Sequence, residues 1–382
     1  MRIPTWTAYF IFIFVGYNAL ISGPIAPFMA HTLQVTLSEI SYAVAIFAIG
    51  RTIAIRLGPA LFLRYPFKAL YFFILFGTVS LTIGIALSRS LAFFFFCWLF
   101  LGIFIGFLTF LVNSLIVSSY DQHHRTAKLN LLNFAFSLGA ISSPFMAGWL
   151  LNSGLAWQVP YLLSLILLIP TLLGFKINPH FVKPTTPQIN GASFIWTSSL
   201  CLTTYALFAY VLAEIGFCFW LTPYLMNDAG FSFETAAFSL SLFWTLMAVG
   251  RFASGYLSRM ISLKKFLHLL MGFSLIGFAG SIWLLSSQWA FFWVALAGLG
   301  CSGLYATILS RGTLLLTAPS AKLTSSMVTI GSFGTVAAMV ISGLLKNHLS
   351  IHSLLIFYFI LLFTSAIAIS LSFVTENKSK RS

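Results

Sequence analysis

Six acidic side chains occur in the 382 residues, and five of them, Glu39, Asp121, Asp228, Glu234 and Glu376, stand at the ends of apolar runs, in loops or in the C-terminal tail. Glu214 alone lies deep in apolar sequence, within Tyr210-Val-Leu-Ala-Glu214-Ile-Gly216-Phe-Cys-Phe-Trp220. A carboxylate in a hydrocarbon layer costs about 2.5 to 3.5 kcal/mol on insertion scales, so one that persists there has a use. Tyr210 and Glu214 are four residues apart and share a helical face. A carboxyl group so placed can carry a proton or bind a solute hydroxyl, and Glu214 is the proton-coupling candidate. A fixed ion pair with Arg51, Arg251 or Arg311 would account for the same residue structurally.

The cations and neutral polar groups inside apolar runs are the next candidates. Arg51 and Arg251 each follow a glycine about two-thirds of the way along their segments, with Arg64 at the end of the same segment as Arg51. Such arginines form structural networks or snorkel to the rim, and these three are read as conformational residues. Arg311, in Leu309-Ser310-Arg311-Gly312, is a candidate for an anionic or polyhydroxyl ligand. Asn18, Thr109, Asn113 and Asn133 add a polar surface, Thr109 and Asn113 again sharing a face at a spacing of four. Single asparagines also serve as glue between helices. Trp220 and Trp244 offer rings that can stack on a solute, and Tyr210 is a further substrate-binding candidate. Gly139 and Gly334 mark close helix approach and are candidates for gating. There is no phosphate-binding glycine loop and no HExxH or serine–lysine arrangement, so an enzyme is not expected. Cys97, Cys201, Cys218 and Cys301 all lie in apolar runs without a CxxC pair, and neither metal nor cofactor is expected.

The elements that must hold these residues follow from composition. Hydrophobic residues make up 59% of the chain and charged residues 7%, against roughly 25% charged in a soluble domain. The apolar runs reach the ~20 residues that a bilayer core of about 30 Å demands, and continuous rather than alternating runs select helices over a barrel. The fold class is therefore an all-α integral membrane protein. Twelve spans are predicted, at 4–29, 37–63, 67–88, 91–119, 127–153, 157–177, 194–226, 232–260, 264–286, 289–317, 322–345 and 351–374. With the N-terminus placed inside, fourteen of the 20 Lys and Arg fall on the inner side, only Arg89 and Lys346 fall outside, and four lie within spans. This positive-inside bias puts both termini in the cytoplasm. It also explains the net charge of +14 without a nucleic-acid partner, since the cations are spread between apolar blocks. A Pro-, Asn- and Thr-rich stretch around NPHFVKPTTPQING divides the chain into an N-terminal half at 1–177, a cytoplasmic linker at 178–193, a C-terminal half at 194–375 and a tail at 376–382.

An internal repeat supports that division. Ala48-Ile-Gly50-Arg51 recurs as Ala248-Val-Gly250-Arg251 at an offset of 200, and Gly139 and Gly148 recur as Gly334 and Gly343 at an offset of 195. Two six-helix halves in parallel repeat resemble the major facilitator superfamily, with a substrate site near the midplane. Within it the chain resembles the fucose-glucose-galactose permease (fucose:proton symporter) group. The resembling pieces are Gly16 through Gly23-Pro24-Ile-Ala-Pro27, Gly58-Pro59 through Arg64 and Lys68, Asn113, Asn133-Phe-Ala-Phe-Ser-Leu-Gly139 through Pro144, Tyr210-Val-Leu-Ala-Glu214 and Gly250-Arg251-Phe-Ala-Ser-Gly255. The resemblance implies a monomeric secondary transporter of the bacterial inner membrane that moves a sugar or sugar-like solute with a proton by alternating access. The group's sugar–proton symporters use carboxylates in the first and fourth helices. Here the first helix has no acid and Thr109 stands four before Asn113, which leaves Glu214 to supply the coupling. The alternatives are a drug or metabolite exporter, which the aromatic content permits, and a non-transporting membrane receptor, for which the chain has no soluble signalling domain.

Overall fold

In a computed structural model of the chain, residues 5–65, 67–119, 122–172, 195–284, 289–316 and 321–379 are described. They are helical almost throughout, and the chain divides into two compact units, Met1–Pro187 and Gln188–Ser382. The linker expected at 178–193 lies outside the described residues.

The first unit contains α1 (Thr5–Leu20), α2 (Ser22–Leu33), α3 (Leu37–Arg64), α4 (Phe67–Leu87), α5 (Leu91–Ser119), α6 (Gln122–Asn152) and α7 (Gln158–Leu163). A 3-10 turn, Ser164–Leu168, follows α7. The second contains α8 (Ser198–Asn227), α9 (Phe233–Met260), α10 (Leu263–Trp283), α11 (Ala290–Cys301), α12 (Leu304–Leu314), α13 (Ala321–Lys346) and α14 (Ile351–Ser379). Ten helical spans, with α11 and α12 counted as one, are long and apolar enough to cross a bilayer. The pair α1–α2, bent by 55°, makes an eleventh, and the sixth expected span appears as a shorter apolar helix over Gln158–Leu172.

Local chemistry explains where the helices start and bend. Thr36 and Glu39 form a capping box at the head of α3, the Glu39 carboxylate accepting from the Thr36 amide at 2.8 Å and the Thr36 hydroxyl accepting from the Glu39 amide. This gives one of the six acids a local use. Ser90, Thr197, Ser232 and Ser350 cap α5, α8, α9 and α14 in the simpler way. The bend between α1 and α2 falls at Ile21, just before Gly23-Pro24, because Pro24 has no N–H to continue the ladder. The first span thus extends to Leu33, four residues beyond its expected end.

Inside each unit, helices cross at glycines. A Cβ on Gly139 of α6 would sit 2.0 Å from the carbonyl oxygen of Ile13 on α1, and one on Gly334 of α13 would sit 2.8 Å from that of Phe208 on α8. Both partners are related by the same offset of 195, so the glycine repeat is a repeat of one backbone contact. A second contact recurs between α3 and α5 (Phe47 oxygen, Gly102) and between α9 and α11 (Phe243 oxygen, Gly298), here at an offset of 196. The Gly-Arg sequence repeat, at 200, is therefore displaced by one helical turn from the packing repeat.

Side-chain hydroxyls add ties. Tyr17 donates to the Pro160 carbonyl at 2.7 Å, and Ser365 donates to that of Ala206 at 2.8 Å. Exposed phenylalanines such as Phe73, Phe76 and Phe252 belong to the lipid face, and Trp196, Trp283 and Trp289 lie exposed at span ends, where an aromatic belt is expected.

The Gly139 contact makes a prediction. Gly139→Ala is expected to force α1 and α6 apart and cost about 1 to 3 kcal/mol, read as a lower thermal unfolding midpoint in detergent. Gly272→Ala, with nothing within 4 Å of the added atom, is expected to leave the midpoint unchanged or raise it.

Candidate functional site

Glu214 stands on α8, the most enclosed span, with 7% of its surface exposed. Tyr210, one turn earlier on the same helix and fully buried, donates its hydroxyl to the Cys301 carbonyl at 2.9 Å and acts electrostatically on the Glu214 carboxyl group. Arg251 on α9 contributes its field, but no cation lies within ion-pair distance of Glu214 among the described residues. The fixed arginine pair considered from the sequence is thus not formed. The Arg251 guanidinium instead donates to the Met247 sulfur at 3.1 Å and lies 6.0 Å from the Trp244 ring centroid. Trp244 is buried with its Nε1 unpartnered.

Cys301 ends α11, and the helix does not continue smoothly. Ser302 and Gly303 intervene before α12, and the Ser302 amide bonds back three residues, to Leu299 at 3.3 Å. The Ser302 hydroxyl, against Gly250, is buried without a partner. Tyr210, Glu214, Arg251, Trp244 and this helix break therefore form one polar cluster inside the second unit. The break was not foreseen, because glycine is common in membrane helices and the hydropathy does not dip there.

In the first unit the polar candidates are turned onto their own helices. Asn18 donates to the Phe14 carbonyl at 3.0 Å and keeps its buried Oδ1 without a partner. Thr109 donates to Ile105 and Asn113 donates to Thr109, both at 2.8 Å and both half-buried on α5. Asn133 is exposed on α6. Arg51 is half-buried on α3 and Arg64 exposed in its last turn. Trp220 is fully enclosed with its ring edge-on to Phe219, a core placement rather than a stacking platform.

Arg311 requires a correction. It was expected to face a ligand, yet it is 4% exposed and both its Nη groups are engaged by the protein, its Nε alone being buried without a partner. Its Nη1 pairs with the Glu376 carboxylate at 2.6 Å, and its Nη2 donates to the Ser372 carbonyl at 3.2 Å and lies within 3.4 Å of the Ser199 and Ser372 hydroxyls. The guanidinium also stands 4.0 Å from the Phe373 ring centroid. This clamp joins the start of α8, the last turn of α12 and the end of α14. Glu376 had been assigned to the tail because hydropathy falls there, but α14 runs on to Ser379.

An all-α bundle of apolar spans in two units, with polar groups gathered inside it, defines a membrane transporter fold. The sequence profile of the Major Facilitator Superfamily matches residues 6–327, and the chain belongs to that family. It is an integral membrane transporter and not an enzyme. Relatives include Protein TsgA from Escherichia coli O157:H7, 25% identical over 90% of this chain and 88% of its own length. A TsgA homologue of Edwardsiella ictaluri is 24% identical over 92% and 90%. Among solved structures, a bacterial homologue of the human lysosomal transporter Spinster superposes with a TM-score of 0.74 at 15% identity, covering 98% of this chain and 96% of the other. The nucleoside transporter NupG does so with 0.75 at 12% identity, covering 96% and 99%.

The clamp predicts a coupling energy. Glu376→Gln leaves a buried guanidinium without its counter-charge and is expected to destabilise the protein by about 3 kcal/mol. The double variant Arg311→Met/Glu376→Gln should recover part of that loss, measured as a double-mutant cycle on thermal unfolding in detergent.

Proposed function

We propose that the chain is a secondary active transporter that moves a small polar solute, a sugar or sugar-like metabolite, across the bacterial inner membrane with a proton carried by Glu214. The observation that carries this reading is a membrane-embedded carboxyl group with a tyrosine one turn before it and, among the described residues, no cation at ion-pair distance. Such a group can gain and lose a proton, whereas a tightly paired one is held ionised. The halves at 1–177 and 194–375, joined by the linker at 178–193, work by alternating access. The protein works as a monomer. Asn18, with an unused buried oxygen, supplies an acceptor to the solute, and Thr109, Asn113 and Asn133 line its path. Arg51, Arg64 and Arg251 act in gating, and the close contacts at Gly139 and Gly334 let the helices of each half move as one body.

The test is uptake into proteoliposomes across hexoses, deoxyhexoses, small acids and nucleosides, the last because of the shared fold with a nucleoside transporter. An imposed pH gradient is expected to concentrate one solute in wild type. Glu214→Gln is expected to let that solute equilibrate without accumulating. Equal accumulation by the variant would sink the coupling role, and gradient-driven efflux of a hydrophobic cation with no sugar uptake would select the exporter reading.

The orientation is tested separately. With both termini cytoplasmic, alkaline phosphatase fused after Ser382 is expected to be inactive, and the same enzyme fused after Arg89 to be active.

A further inference from the structure

We infer that Tyr210 reports the protonation state of Glu214 to the break between α11 and α12, by moving its single hydroxyl proton between the Cys301 carbonyl and the Glu214 carboxylate. This rests on the reading of Glu214 as the coupling group. It assigns Tyr210 as the positioning residue between the proton and the backbone.

The inference follows from counting donors. The Tyr210 hydroxyl has one proton to give; it goes to the Cys301 carbonyl at 2.9 Å, and the Glu214 carboxyl group, one turn on along the same face of α8, is the acceptor that can compete for it. When Glu214 is protonated, its own O–H can donate to the tyrosine oxygen while the tyrosine donates to Cys301, and every group is satisfied. When Glu214 is ionised it can only accept. The tyrosine proton then goes to the carboxylate, the stronger acceptor because it carries charge. The Cys301 carbonyl loses its donor at the one place in the span where the helix is already interrupted by Ser302 and Gly303. A buried carbonyl without a donor is costly, so the junction must open or bend to find another. The groups acting on Glu214 are Tyr210 and Cys218 from α8, Arg251 from α9 and Cys301 from α11.

The experiment is amide hydrogen exchange across residues 298–307, corrected for intrinsic rate, in lipid nanodiscs over a pH series, together with gradient-driven uptake of the same variants. In wild type, protection of the junction is expected to fall by roughly two- to tenfold as Glu214 ionises, the worth of one buried hydrogen bond. Glu214→Gln, whose amide can still donate to the tyrosine, is expected to stay protected at every pH. Tyr210→Phe is expected to exchange fast and without pH dependence. A wild-type pH response retained in Tyr210→Phe would overturn the inference. So would a wild-type junction that ignores pH, even if Tyr210→Phe failed to fold. If that flat junction accompanies loss of accumulation in Glu214→Gln, the coupling role stands and only the relay fails. If the exchange pattern appears as expected but Glu214→Gln accumulates solute like wild type, the link between the two residues is upheld and the coupling role is the part that falls.

Discussion

Two helices can touch backbone to backbone only where one of them lacks a side chain, and both units of this transporter are built on that constraint. Lipid tails are as apolar as leucine, so burial of apolar surface gives helices little reason to associate; close van der Waals contact has to do so instead. Gly139 against Ile13 and Gly334 against Phe208 are the same contact made twice, as are Gly102 against Phe47 and Gly298 against Phe243. Once these pairs are set, α1 with α6, α3 with α5, α8 with α13 and α9 with α11 become fixed partners, and the remaining helices fill in around them.

Within that frame most polar side chains are consumed locally. Thr78, Thr82, Thr109, Ser274 and Ser281 each donate to the carbonyl one turn back on their own helix, which satisfies a hydroxyl in hydrocarbon at no cost to the neighbouring helices. The two Nη groups of Arg311 are taken up by Ser199, Ser372 and the Glu376 carboxylate. Glu214 is the group left over, since its polar neighbours are a tyrosine already committed elsewhere and an arginine that leans on sulfur and indole.

Much of this was legible in the residues themselves. The apolar runs located the spans, the spacing of four placed Tyr210 beside Glu214, and the 195-residue glycine repeat proved to be a packing repeat. The failures have physical causes. Glu376 was assigned to the tail because hydropathy registers side chains and not the backbone ladder, which α14 extends to Ser379. The interruption at Ser302 and Gly303 leaves no mark in hydropathy. Arg311 passed for a ligand group because its partners come from α8 and α14, and no local spacing announces a contact between residues so far apart in the chain.

The clamp also bears on the order in which the protein can be made. Arg311 enters the membrane with α12, but its carboxylate partner is 65 positions further on, in the last helix. At about 5 to 20 residues per second, the translocon holds that guanidinium for several seconds before α14 arrives. Insertion of the tenth span therefore proceeds against a cost of about 2.5 to 3.5 kcal/mol that its apolar residues must outweigh unaided. Synthesis of the final helix then relieves that cost, so that completing the chain and locking the second unit are one event.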